Sequence, residues 1–449
     1  MNLQPILPET LVVVGIILAL VADIADRPRI AWGAALITVL GALVVSLVDP
    51  SRATVDGMLI ADGLAIAVRW LVLPTTVILL LTGCGGAGSQ DRRFVIPVLG
   101  VALGALVASA SIHVVPLFLG LELMSLAGYC LAAWSGTRKS AEAGMKYVLF
   151  GGVASAVALF GLGHVYGLTG HLDLAGLAAA PASPALTVAL ALAGVSLLTK
   201  LAVVPLHLYA PDVYQGAPPL AVTVFGSLPK IAVIAVFARL MDMGLIDGRP
   251  VLTILGLITI LWAALAALSA RDAQRILAFS ALVHAASALV VVSLGASAAA
   301  LWYLAAYLPS AIGAFAALGL LSATTGLVDL RGVGRRRPLG AGVLGLCVVS
   351  LIGVPPLSGF FAKWQALGAL FAAPGALPAI AAVALLLATA TTAWAYLRIL
   401  RAVVLDAPSE DPAPLPLVPK SAVVGLVLCV LATLFLGLWL DGPAALGLG

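Results

Sequence analysis

The chain has 449 residues, 63% of them hydrophobic and only 9% charged, with a formal net charge of +4. Its mean hydropathy is +1.18, whereas soluble domains carry about 25% charged residues. A water-soluble globular fold is therefore excluded, and an all-α polytopic membrane protein is indicated.

A membrane-spanning helix needs about 20 apolar residues, and the apolar runs predict fourteen. Segments 8–25, 30–48 and 59–82 form an N-terminal trio within residues 1–93. The first of these has no basic residue ahead of it and no convincing cleavage site, so it reads as a retained helix rather than a signal peptide. The stretch Gly83 to Gly88 spells GxGxxG, but it follows a membrane segment rather than a strand, so its context fails as a dinucleotide site. Segments 94–110, 113–134, 141–166, 185–208 and 219–241 make a first five-helix unit, residues 94–241. Segments 251–270, 273–294, 298–324, 338–372 and 376–404 make a second, residues 242–404. Segment 421–440 closes the chain within residues 405–449.

Of the 23 Lys and Arg, five lie inside spans, and fifteen of the other eighteen follow odd-numbered spans. Only Arg52, Arg239 and Arg249 fall on the opposite side. The positive-inside rule then places both termini on the outer, periplasmic-type face of the cell's inner (plasma) membrane. The excess of base is an orientation signal, since no basic run alternates with aromatics as nucleic-acid binding would ask. Cys84, Cys130, Cys347 and Cys429 show no metal-ligand spacing, and the five histidines show no HExxH, so neither a metal nor a redox cofactor is expected in this chain.

The five intramembrane cations are Arg69, Lys146, Lys200, Lys230 and Lys363, accompanied by one acid read as buried, Glu122. A cation near the bilayer centre costs at least about 2.5 kcal/mol, so such charges usually mark an ion or substrate path. Each also has a structural reading. Arg69 could snorkel or cap a neighbouring helix, and Lys146 could reach the interface. Lys200, Lys230, Lys363 and Glu122 lie too deep in their spans for that. His207 and His284 serve equally as relay groups or as satisfied core histidines.

Two spans are interrupted in a related way. Pro205 and Pro211 follow Lys200 in the seventh span, and Pro355-Pro356 precede Lys363 in the twelfth. Proline removes a backbone donor and clashes with the preceding turn. In lipid such a break survives only where protein or water satisfies the freed carbonyls. Both breaks fall fourth in their five-helix units, the pattern of inverted repeats with a transport site at the breaks. A lysine buried in a low-dielectric interior holds its proton less firmly, and an approaching carboxylate restores that hold. Lysine therefore suits a proton switch where arginine, which does not release its proton, would not.

These residues sit in stretches that resemble the antiporter-like subunit family of proton-pumping NADH:quinone oxidoreductase (respiratory complex I), and its subunit N, or subunit 2, in particular. The matching stretches are FLGLELMSLAGYCLAAW (118–134), SAEAGMKYVLFGGVASA (140–156), LLTKLAVVPLHLYAPDVYQGAPP (197–219), SLPKIAV (227–233), RILAFSALVHA (275–285), DLRGVGRRRP (329–338) and GVPPLSGFFAKW (353–364). The resemblance implies fourteen helices with two inverted five-helix repeats and broken helices seven and twelve. It implies a proton relay of Glu122 paired with Lys200, then Lys230 and Lys363, with Lys146, His207 and His284 as further relay positions. It also implies partner membrane subunits of the same complex, in which NADH, FMN, iron–sulfur clusters and quinone do the redox chemistry. Two stretches depart from the family pattern: APPLAVT stands for APTPVT, and SALVHAAS for SSIAHAGY, without a tyrosine beside His284.

Two other functions compete. A cation/proton antiporter subunit of an Mrp-type or hydrogenase-linked complex shares the chemistry, but PDVYQGAP and the lack of a long C-terminal extension argue against it. A stand-alone solute or lipid flippase would ask for a larger polar cavity than the spans offer.

Overall fold

Long runs of Leu, Val, Ile and Ala in lipid leave the backbone no hydrogen-bond partner but itself, so the apolar stretches fold as helices. The computed structural model describes residues 4–48, 53–83, 94–246, 249–321, 325–408 and 418–439. Arg52, Arg92, Arg93, Cys84 with the rest of the glycine-rich stretch after Gly83, the Arg249 side chain and the tail beyond Trp439 lie outside the described residues.

Helices α1 (Leu7–Ile24) and α2 (Pro28–Val48) are followed by a hairpin of two-residue strands, β1 (Thr54–Val55) and β2 (Leu59–Ile60), and by α3 (Gly63–Gly83). The first unit comprises α4 (Val95–Ala110), α5 (Val114–Ala132), α6 (Arg138–Thr169), the short α7 (Leu174–Ala179), α8 (Pro184–Leu201), α9 (Ala210–Gly216), α10 (Pro219–Phe225) and α11 (Leu228–Asp242). The second comprises α12 (Arg249–Ser269), α13 (Ala273–Ser293), α14 (Ser297–Leu321), the short α15 (Val333–Arg336), α16 (Pro338–Ile352), α17 (Ser358–Ala372) and α18 (Ala376–Leu400), which ends in a π-helical turn. Last comes α19 (Lys420–Leu438). Among the described residues 12 helices are long and apolar enough to cross a membrane, and the shorter apolar helices Val95–Ala110 and Pro338–Ile352 bring the passes to fourteen.

The two units share one packing plan. In the first, α4 packs on α5 and α11, and α6 packs on α8 and α9; in the second, α12 packs on α13 and α18, and α14 packs on α16 and α17. Five passes per unit is an odd number, so the second unit enters from the opposite face and runs inverted to the first. Burial is deepest where the units meet: α13 is buried along its whole length and α14 almost so. The α6 pass, 32 residues long, is mostly exposed.

Both expected breaks are present. In pass seven, helix stops at Leu201, Ala202 turns left-handed (φ 55°, ψ 48°), and helix resumes at Ala210. In pass twelve, helix stops at Ile352, Gly353 turns left-handed (φ 97°), and helix resumes at Ser358. The Val204–Pro205 and Pro355–Pro356 peptides are cis. A third interruption was not expected. Pass eight divides between α10 and α11 at Gly226–Ser227, which sets Lys230 in the first turn of α11.

Several charges differ from the sequence reading. Arg69 neither snorkels nor caps. It donates to both oxygens of Glu9 (2.8 and 3.0 Å) and to the Pro5 carbonyl (2.7 Å), and both side chains are almost wholly buried. The deeply buried acid is therefore Glu9 at 5% exposure, while Glu122 is half-buried. Arg239, read as a loop charge, is buried in α11 and grips Asp62 with two hydrogen bonds (2.7 and 3.0 Å) and the Ser109 carbonyl with two more. These two clamps tie α1 to α3, and the start of α3 to the first unit. The first is invisible to periodicity because its partners are 60 residues apart.

Candidate functional site

The polar groups begin at the arginine-rich end of the bundle. Asp212 of α9 receives hydrogen bonds from Lys146 of α6 (3.1 Å) and Arg275 of α13 (2.9 Å). Lys146 also pairs with Glu142 one turn earlier (2.8 Å), and its side chain is 38% exposed, so it stands at the rim rather than in the core. Burial raises the proton affinity of Asp212, but its hydrogen bonds from Lys146 and Arg275 outweigh this and hold the carboxyl below its ordinary value. Gln274 donates to the Tyr214 and Ala217 carbonyls (2.6 and 2.8 Å), which pins the PDVYQGAPP segment to the start of α13.

Further in, Lys200 in the last turn of α8 donates to the Ser125 hydroxyl of α5. Glu122, one turn before Ser125, accepts from Ser155 of α6 at 2.6 Å. Among the described residues the acid and the lysine make no ion pair within 4.0 Å. Each rests instead on a serine hydroxyl, with Ser125 next to both. Val204 of the first break donates to Thr259 (3.0 Å), and Tyr209 donates to the Thr199 carbonyl (2.7 Å), so groups freed by the break find partners. His207 lies in this unwound stretch, buried edge-on against Trp262 at 4.0 Å, and neither ring nitrogen has a hydrogen-bond partner among the described residues.

An aromatic string connects the two halves. Tyr129 contacts Tyr147 (4.8 Å), Tyr147 contacts Phe225 (5.5 Å), and Phe225 contacts Tyr214 (5.3 Å). The Lys230 ammonium stands 5.9 Å from the Tyr214 ring and 5.7 Å from the Tyr307 ring. Lys230 is 1% exposed and donates to the Ala281 carbonyl of α13 (2.8 Å). No carboxylate among the described residues lies within ion-pair distance of it.

His284, one turn along α13, shares a hydrogen bond with the Tyr303 hydroxyl (2.7 Å) and stacks on Tyr307 (4.3 Å). The missing tyrosine beside His284 in SALVHAAS is thus made good from α14, which no reading along α13 could show. Lys363 stands on α17, which packs on both α13 and α14. Lys363, buried to 8% exposure, donates to the Leu351 and Ile352 carbonyls (2.7 and 2.9 Å), the last two of α16 before the second break. A helix C-terminus carries partial negative charge, so the break itself is the counter-ion.

The structure thus gathers Lys230, His284 and Lys363 in one buried region, places Lys200 and Glu122 around Ser125, leaves Lys146 at the rim and His207 apart against Trp262. The tyrosines were missed. Six of the eight are buried, Tyr147 packs among them, and only Tyr166 is exposed. Membrane tyrosines normally sit in interfacial belts, so the mid-span position of Tyr307 was an available signal, whereas Tyr209 and Tyr214 lie between the predicted spans and gave none.

A family model described as NADH:quinone oxidoreductase/Mrp antiporter, TM, matches residues 111–389. NADH-quinone oxidoreductase subunit N of Geobacillus kaustophilus is 35% identical, covering 97% of this chain and 94% of that protein. The protein of the same name from Halorhodospira halophila is also 35% identical, covering 92% and 90%. Among solved structures, a chain of respiratory complex I from Thermus thermophilus with bound aureothin superposes with a TM-score of 0.85 at 28% identity, covering 98% of each chain. A chain of the Mrp complex from Dietzia sp. DQ12-45-1b gives 0.86 over 99% and 96%, but at 22% identity this likeness speaks for the fold alone.

Proposed function

This chain belongs to the family of NADH:quinone oxidoreductase and Mrp antiporter transmembrane subunits, and from that premise we propose that it is a proton-translocating membrane-arm subunit of an NADH:quinone oxidoreductase. The chain acts as part of a translocase. NADH, FMN, iron–sulfur clusters and quinone belong to partner subunits, and this chain moves protons in response. It sits in the inner membrane with both termini outward, and its inverted units correspond to residues 94–241 and 242–404.

The observation that carries the reading is Lys230: an ammonium 1% exposed, on one carbonyl, with no carboxylate partner among the described residues. A buried charge with no ionic partner adds little to stability and serves a proton station well. Protons enter past the Lys146–Asp212–Arg275 rim, reach Lys200 beside Ser125 and Glu122, and move laterally to Lys230, His284 with Tyr303, and Lys363. An apolar cavity of about 110 Å³ in the first unit is lined by Leu121, Leu197, Phe237, Leu174 and Leu177. The Mrp-type alternative shares the fold, but relatives at 31–36% identity carry the dehydrogenase name.

The test is proton pumping in membrane vesicles, normalised to assembled complex. Lys230→Ala is expected to assemble and to lose most coupled pumping. Lys230→Arg keeps the charge but cannot release its proton, so it is expected to be impaired too. Full pumping by Lys230→Ala would remove this residue from the path.

A further inference from the structure

The helix α19 lies outside both five-helix units, yet it packs on α14 and on α16 and α17, the two helices that flank the second break. The contact is a seam of small and hydroxyl residues in successive layers. Gly313 of α14 packs against Cys347 of α16 and Cys429 of α19, so closely that a side chain on the glycine would overlap the Cys347 thiol and crowd the Cys429 Cβ. One turn on, Ser310 donates to Ser350 (2.8 Å) and shares a hydrogen bond with Thr433 (3.2 Å). One turn further, Ser358 donates to the Ala306 carbonyl (2.7 Å), and Gly437 presses its backbone on Pro356 to Ser358 of the break. The four hydroxyl side chains, Ser310, Ser350, Ser358 and Thr433, are fully buried.

We propose that α19 sets the position of Lys363 through this seam, with Thr433 as its positioning residue. The geometry runs in two short steps. Ser350 is held by Ser310, which Thr433 orients, and the next two residues supply the carbonyls that bind the Lys363 ammonium. The same Ser350 hydroxyl accepts from the Gly359 amide (3.1 Å), one turn before Lys363 on α17. One hydroxyl thereby fixes both sides of the break, the carbonyls and the helix that carries the amine. Without the Thr433 hydroxyl, Ser310 keeps Ser350 as a partner but loses the second contact that fixes its hydroxyl toward Ser350. The inference rests on the reading that Lys363 lies in the proton path.

The experiment compares Thr433→Val, Thr433→Ser, Ser310→Ala and Lys363→Ala in the native complex. It reads assembled complex, NADH oxidation and protons pumped per NADH oxidised. Valine matches threonine in shape but lacks the hydroxyl. Thr433→Val is expected to assemble and to pump on the order of tenfold less per NADH, since a misplacement of about 1 Å can cost up to about 100-fold. Thr433→Ser should retain most pumping, and Ser310→Ala should match Thr433→Val. Ser310→Ala decides the matter alone if Thr433→Val fails to assemble. Normal pumping by Thr433→Val or Ser310→Ala beside a defective Lys363→Ala would overturn the role of α19 and leave the proton path standing. Equal loss in Thr433→Val and Thr433→Ser would also overturn it, because packing rather than the hydroxyl would then be at stake. Normal pumping by Lys363→Ala would instead overturn the reading beneath.

Discussion

Replacing Lys230 with methionine separates the stability of this site from its function. Methionine has nearly the length of the lysine stem and adapts to irregular cavities, so packing around Ala281, Tyr214 and Tyr307 survives. What disappears is a buried ammonium whose desolvation costs several kcal/mol. Against that stand one charge-assisted hydrogen bond at 2.8 Å, worth about 1.5–3 kcal/mol. Two ring contacts at 5.9 and 5.7 Å add about 0.5–2 kcal/mol each. The terms nearly cancel, so Lys230→Met is expected to change stability by no more than about 2 kcal/mol in either direction. The assay is heat-induced dissociation of the purified complex, set beside proton pumping in vesicles. Unchanged melting with lost pumping is the expected pair. A loss of more than about 3 kcal/mol with pumping retained in the surviving complex would show an ordinary structural charge, since that is the signature of a broken buried pair.

Glu9→Gln leaves Arg69 unpaired in the core and should destabilise the complex by about 3–5 kcal/mol; a double change of both residues to methionine should recover most of it, and a silent Glu9→Gln would refute the clamp. Burial opposes ionisation of Asp62, but its hydrogen bonds and charge pairing with Arg239 hold the carboxyl below the ordinary value. Such a carboxylate stabilises above its unfolded value and loses that contribution as pH falls through the folded one. Thermal stability should therefore drop only below pH about 4, and Asp62→Asn should remove that acid limb from a melting profile. Ala202→Gly should raise stability by up to about 1 kcal/mol, because a left-handed alanine costs roughly 1–2 kcal/mol and glycine returns part of this as backbone entropy; a lower melting temperature would count against the strain. Ser125→Ala should reduce pumping without loss of assembled complex, because Lys200 loses its hydroxyl partner; unimpaired pumping would exclude that serine as a link.

Composition and periodicity alone determined the class, the passes and two of the three places where helices break. Hydrocarbon admits only self-satisfied backbone, and proline cannot satisfy its own. That is why Pro205 and Pro355-Pro356 announced interruptions which the structure places at 202–209 and 353–357. The lysines were legible for the same reason, since a charge inside an apolar run has no other disguise. Partners were not legible. Glu9 lay at a helix start, where an acid is unremarkable, and only folding brought it to Arg69. The tyrosines around Lys230 and His284 come from α9 and α14, and the hydroxyl that steadies the second break comes from α19. Periodicity describes what one helix shows its surroundings, whereas a counter-ion, a ring face or a bridging hydroxyl is a relation between helices, fixed when tertiary packing sets their rotation and depth.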